Sequence, residues 1–192
     1  DLVVEGEAYS CFVPLRGVHN AMNLAGAVAM AYAYDVPVDV ACASVASFSG
    51  VARRFTERGE FNGAVLIDDY AHLPAEIEAA ISAARTHPAL SARVVAVFQP
   101  NRFHRIAAMA DSYSDCFGAA DLVVITDVYA SGTPRIEGVT GKLVSDAISA
   151  AHSNLSVVWA QTRSDIVHTL QNYLQPGDVC ISMGCGDIET LP

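Results

Sequence analysis

Apolar and polar positions follow two rhythms along this chain, and the change comes near residue 60. Leu2 to Val13 holds two short extended runs around Gly6-Glu7, which read as a hairpin. Gly17 to Tyr34 is a long helix-forming run rich in Ala, Met and Leu, whose small residues suit close packing. Asp35-Val36-Pro37 stops it, and Val38 to Phe48 gives a second helix with an Asp near its start. Beyond Ser49-Gly50, Arg53 to Arg58 alternates as a strand does, and Glu60-Phe61-Asn62-Gly63 forms a turn.

From Ala64 the order becomes strand, loop, helix. Ala64 to Ile67, Arg93 to Phe98, Leu122 to Thr126, Ser156 to Trp159 and Val179 to Met183 read as strands. Helices are predicted over Pro74–Thr86, Ile106–Phe117, Lys142–Ala151 and Ser164–Leu174. The first has Pro at its opening turn, where a missing N–H costs nothing, and Ile77, Ala80, Ile81 and Ala84 on one face. Near-continuous apolar strands alternating with amphipathic helices predict an α/β domain, its mostly parallel sheet covered on both faces. In such a sheet the loops after the strands share one edge, where ligands bind. The expected division is residues 1–61 and 62–192.

Composition narrows the partners. With 21 acidic against 11 basic residues the formal charge is −10, which argues against nucleic acid and against anionic membranes. Apolar residues at 52 % against 17 % charged exclude disorder. The longest apolar stretch, Ala21 to Tyr34, is shorter than the ~20 residues that span a bilayer. The acidic start shows no signal peptide. Five cysteines, with no Cys-x-x-Cys, read as small buried hydrophobes in a reducing, cytoplasmic setting.

Polar groups gather where the topology puts its strand ends: Asp68-Asp69-Tyr70-Ala71-His72, Gln99-Pro100-Asn101-Arg102-Phe103-His104-Arg105, Asp127 to Gly132, and Gly184-Cys185-Gly186-Asp187. Carboxylates accept ribose hydroxyls or hold a cation, and arginines fork onto carboxylate or phosphate oxygens. Each group also has a plainer reading. The aspartates could be a solvated strand end, His72 a loop hydrogen-bonder, and the arginines, three apart, a surface pair. Gly184-x-Gly186 reads as a turn more than a phosphate cradle. The chain has no zinc motif, nucleophile elbow or Walker A loop, so neither a metal site nor a catalytic nucleophile is nominated.

Several of these segments match one family in order: Arg16-Gly17-Val18-His19-Asn20-Ala21-Met22-Asn23, Phe48 to Phe55, Ile67 to Ile77, Val97 to Arg105, Asp127 to Gly132 and Gly177 to Gly184. Together they resemble the Mur ligases, and Phe98-Gln99-Pro100-x-Arg102-x-x-Arg105 points to the branch that adds L-alanine to UDP-N-acetylmuramate. The resemblance implies a fragment: the tail of a central α/β ATPase domain over residues 1–61, then a Rossmann-like C-terminal domain. The partners it implies are UDP-N-acetylmuramate, L-alanine and the missing UDP-binding and P-loop domains of the same enzyme. ATP and Mg2+ would be bound mainly by the missing part, leaving the fragment inactive alone.

By the same resemblance, Asn20 and Asn23 contact adenine, Arg54 the nucleotide near the hinge, and Asp69 with Asp68 the ribose. His72, Arg102 and Arg105 line the amino-acid pocket. The chain departs from the family pattern at Leu73, Asn101 and His104, and at Ser131-Gly132-Thr133. Two other readings stand beside it: a ligase that attaches a recycled tripeptide to the same sugar nucleotide, and a non-catalytic Rossmann-like binding module.

Overall fold

Residues 1–191 are described by a computed structural model, and they form two compact units that divide between Ala52 and Arg53. In the first unit, β1 (Leu2–Val4) and β2 (Glu7–Tyr9) pair antiparallel, followed by α1 (Val18–Ala33) and α2 (Val38–Ala46). Its core is small: Leu24, Val28, Val38, Ala41 and Cys42, with Leu2, Val4 and Tyr9 packed on it. Two cysteines depart from the reading as small buried hydrophobes in a reducing setting. Cys11 and Cys42 form a disulfide, their Cα atoms 5.0 Å apart, which ties the segment after β2 to α2. Cys116, Cys180 and Cys185 are free, and the first two are buried as expected.

The second unit is a six-stranded sheet in the order β3-β4-β8-β5-β6-β7. The strands are β3 (Thr56–Phe61), β4 (Ala64–Asp69), β5 (Val94–Phe98), β6 (Leu122–Ile125), β7 (Ser156–Trp159) and β8 (Val179–Met183). All neighbours are parallel except β3, which pairs antiparallel with β4 at the edge. Central β5 and β8 are buried along their whole length, which is why they read as unbroken apolar runs.

Both faces are covered. On one, α3 (Pro74–Arg85), α4 (Phe103–Met109) and α5 (Lys142–Ala151) bury Ile77, Ile81, Ile106 and Ile148 against Ala96, Phe98 and Ile181. On the other, α6 (Arg163–Tyr173) buries Ile166 and Leu170 against Val95, Val97 and Val124. Each fully buried Ile contributes about 1.5–3 kcal/mol relative to exposure. Among the described residues no helix is long and apolar enough to cross a membrane.

Three expected boundaries shift, each for a local reason. Residues 61 and 62 lie inside the β3–β4 hairpin, whose two-residue turn places Asn62 and Gly63 at φ 52° and 77°, so the division falls earlier, after Ala52. The strand expected at Arg53–Arg58 starts at Thr56, because Arg53 and Phe55 take φ of 60° and 53° and cannot be extended. The helix expected at Ile106–Phe117 begins at Phe103 and gives way to a 3-10 turn over Ala110–Tyr113, since Met109 leaves helical geometry at φ −142°.

Candidate functional site

The strand ends of the second unit carry the charged residues. β4 continues through Asp68 and Asp69 beside Ser182 and Met183 of β8, and both carboxylates are buried, so they are not a solvated strand end. Asp68 accepts a hydrogen bond from Arg53 Nε at 3.2 Å, and its other oxygen, Oδ1, has no hydrogen-bond partner. Asp69 accepts from the Phe55 N–H at 2.8 Å and the Ala71 N–H at 2.7 Å, bracing the segments on either side of it.

Arg53 is the residue the sequence reading missed here. Its guanidinium also donates to Gly184 O at 2.6 Å and meets Glu189 at 3.1 Å, joining β4 to the chain beyond β8. Burying a carboxylate demands a cation close by. That demand was the available signal, but it stays invisible until Asp68 is known to be buried. Arg54, the arginine implied by the resemblance, is exposed. The two guanidiniums lie 5.1 and 5.6 Å from the centre of the Tyr70 ring, within cation–π reach.

His72 follows on the same loop. Its Nδ1 lies 3.0 Å from Tyr70 O, which can only accept, so the neutral ring carries its proton on Nδ1 and offers Nε2 as an acceptor. Glu76 lies in the first turn of α3 and accepts from the backbone N–H groups of His72 at 2.9 Å and Leu73 at 3.2 Å. Its carboxylate is also 3.4 Å from His72 Nδ1. Pro74 opens that helix with φ already set for it.

Arg102 and Arg105 lie where β5 passes into α4. Arg102 is exposed and held at φ 63°, a conformation that costs a side-chain-bearing residue about 1–3 kcal/mol. Its N–H donates to Tyr129 O at 2.8 Å, which fixes the turn. Arg105 Nη1 donates to the buried Asn101 Oδ1 at 2.9 Å, and Asn101 bridges to Tyr129. Asn101 is thus a support for Arg105 that the motif alone did not reveal.

The loop after β8 closes against these elements. A Cβ on Gly186 would stand 2.4 Å from Gln99 Oε1 and from the Tyr129 ring, so only glycine fits. Gln99 Nε2 donates to Asp187 Oδ1 at 2.7 Å. This is a packed turn, as the spacing suggested. Burial raises the pKa of Cys185 at its centre, while the nearby positive charges of Arg105, Arg102 and Arg53 oppose the shift.

Asn20 and Asn23 belong to the first unit. Asn20, in the first turn of α1, donates to Arg16 O at 2.6 Å, and Asn23 is exposed one turn on. Among the described residues no group of three or more His, Cys, Asp or Glu is placed to hold a metal ion. An apolar groove of about 230 Å³ between α6 and β4, lined by Leu66, Leu170 and Leu174, contains no arginine and is not part of this site.

Residues 53–186 match the Mur ligase, glutamate ligase domain. The chain is 40% identical to a UDP-N-acetylmuramate–L-alanine ligase of Sorangium cellulosum over 178 residues, 92% of the chain and 38% of that protein. Against the enzyme of the same name from Ruegeria pomeroyi it is 39% identical over 190 residues, 98% of the chain and 39% of the relative. The chain thus spans under two-fifths of these relatives. Among solved structures, a UDP-N-acetylmuramate–alanine ligase from Thermotoga maritima superposes with a TM-score of 0.76 at 23% identity, covering 98% of this chain and 40% of that one. That likeness speaks to the fold.

Proposed function

The chain belongs to the Mur ligase family, and on that premise we propose that it is part of an ATP-dependent, cytoplasmic enzyme of peptidoglycan precursor synthesis, joining L-alanine to UDP-N-acetylmuramate through an acyl phosphate. The observation that carries this reading is the sheet edge shared by the loops after β4, β5 and β8, the first bearing His72, the second Arg102 and Arg105, and the third bound at Gly184 O by Arg53. ATP would supply the phosphoryl group that activates the lactyl carboxylate. We place the P-loop, the Mg2+ ligands and the sugar-nucleotide site in the length of the relatives that this chain does not span.

The residues present fit the amino-acid half of that reaction. A free amino acid arrives as a zwitterion. Its carboxylate matches the Arg102 and Arg105 guanidiniums, which fork onto paired oxygens better than an ammonium does. Its ammonium must lose a proton before the nitrogen can attack. His72 is suited to that need, since its Nδ1 proton is held by Tyr70 O and Nε2 is left as the acceptor. Neutralising positive charge close by also favours the approach of two anions, the carboxylate and the phosphate.

The nucleotide half falls to Arg54, Asp69 and Asp68, with Asn20 and Asn23 on the adenine. Arg54 is exposed and set on the Tyr70 ring, available to phosphate oxygens. We assign the ribose hydroxyls to Asp69, anchored by the Phe55 and Ala71 amides, with the paired Asp68 behind it.

Phosphate release by the full-length enzyme, with ATP and UDP-N-acetylmuramate present, tests the proposal. L-Alanine should drive turnover ahead of glycine, L-serine and a tripeptide. Turnover with the tripeptide alone would move the assignment to the recycling ligase, and none with any amine would leave a binding module.

A further inference from the structure

We propose that Tyr113 is a positioning residue for the amino-acid pocket: its hydroxyl ties the His72 loop to the segment that carries Arg105. This rests on the functional reading above. The two loops leave β4 and β5, which are not neighbours, because β8 lies between them. The ladders through β8 fix the two strand ends, but no ladder joins the loops that carry His72 and Arg105 to each other. Tyr113, in the 3-10 turn that continues α4, spans that gap: its OH donates to His72 O at 3.0 Å.

The packing around the ring does not require a hydroxyl. Tyr113 is fully buried, with its ring centre 5.5 Å from Phe98, in a cluster of Phe, Ile and Ala that a phenylalanine would fill as well. A buried hydroxyl is tolerated only with a partner, and here the partner is the backbone of the site residue. Burial pushes the phenol up to about 12, with Arg105 beside it opposing the shift, so the group remains a donor throughout the physiological range.

His72 is consequently held at three points. Its N–H is bound to Glu76, its ring Nδ1 to Tyr70 O, and its carbonyl to Tyr113. The first two contacts lie within its own loop and helix. Only the third refers it to the element bearing Arg105.

Tyr113→Phe tests this, since it keeps the ring and removes only the donor. In the 192-residue chain, amide hydrogen exchange at Ala71 to Leu73 should accelerate, while β5 and β8 stay protected. In the full-length enzyme the KM for L-alanine should rise roughly three- to tenfold, the worth of one hydrogen bond, with the KM for ATP unchanged. In a His72→Ala background the same substitution should add nothing to the alanine KM. Unaltered exchange, or faster exchange with an unaltered alanine KM, would overturn the proposal. A wild-type enzyme that ignores L-alanine would instead defeat the functional reading, and the exchange data would still decide whether the tie exists.

Discussion

In the unit that begins at Arg53, central β5 and β8 are wholly buried and no described large apolar side chain is more than half exposed, whereas in the first unit Val3, Phe12, Val18, Met22, Met30 and Tyr34 are each more than 60% exposed. Four of these, Val18, Met22, Met30 and Tyr34, recur at multiples of four along α1 and its C-cap and form one stripe. Leu24 and Val28 on the opposite side are the only buried residues of that helix. The difference shows where each part draws its stability. The second unit has a sheet with two covered faces, while the first closes one helix face on a hairpin and adds a disulfide. Its own residues leave the outer stripe uncovered.

Separating the units should produce the largest effect. Residues 53–192, expressed alone, should unfold in a single cooperative transition followed by circular dichroism. Residues 1–52 alone should show no such transition, as expected of a piece of this size with so small a core. A cooperative transition in the shorter piece would erase the contrast.

Point substitutions in the whole chain should repeat it on a smaller scale. Ile81→Ala, in the closed core, should cost about 2–5 kcal/mol by urea denaturation. Met22→Ala, on the exposed stripe, should stay within about 0.5 kcal/mol. Equal losses would mean that the α1 stripe is covered in solution.

Near neutral pH the thiols should matter least, their effect being confined to alkaline solution. Burial raises Cys116 and Cys180 from 9.0 to about 12. Their folded-state pKa lies above the unfolded value, so their contribution is fully present below pH 9 and is lost as pH rises toward 12. The second unit should therefore weaken across that alkaline window, and replacing both cysteines by alanine should flatten the slope. Under native conditions at pH 8, a thiol reagent should modify the partly exposed Cys185 ahead of Cys116 and Cys180. Cys11 and Cys42 should react only after reduction.

Much of the second unit could be read from the chain because burial on two faces leaves an unmistakable pattern. β8, β7 and α5 fall where the apolar runs place them, and Ile77, Ala80, Ile81 and Ala84 form the buried face of α3. What escaped was set by local backbone geometry that no apolar run records. The start of β3 depends on the positive φ of Arg53 and Phe55, and the start of α4 on that of Arg102.

The candidate site shows the same division. His72, Arg102 and Arg105 were singled out by the family resemblance rather than by spacing, and the structure brings the segments carrying them to one edge of the sheet. Arg53, Asn101, Glu76 and Tyr113 work by holding those residues or the strand ends around them. Nothing in the local sequence marks a supporting side chain of that kind. The burial of Asp68 and Asp69 was equally hidden, since a charged pair at a strand end is ordinarily solvated.

The assignment of the arginine rim to the amino acid is tested most directly by Arg102→Ala in the full-length enzyme. Arg102 is an exposed side chain, so its removal should spare the fold. Loss of a charge-assisted contact predicts a rise of roughly ten- to hundredfold in the KM for L-alanine, with the KM for ATP unchanged. An alanine KM that does not move, or an equal rise in both constants, would contradict the assignment.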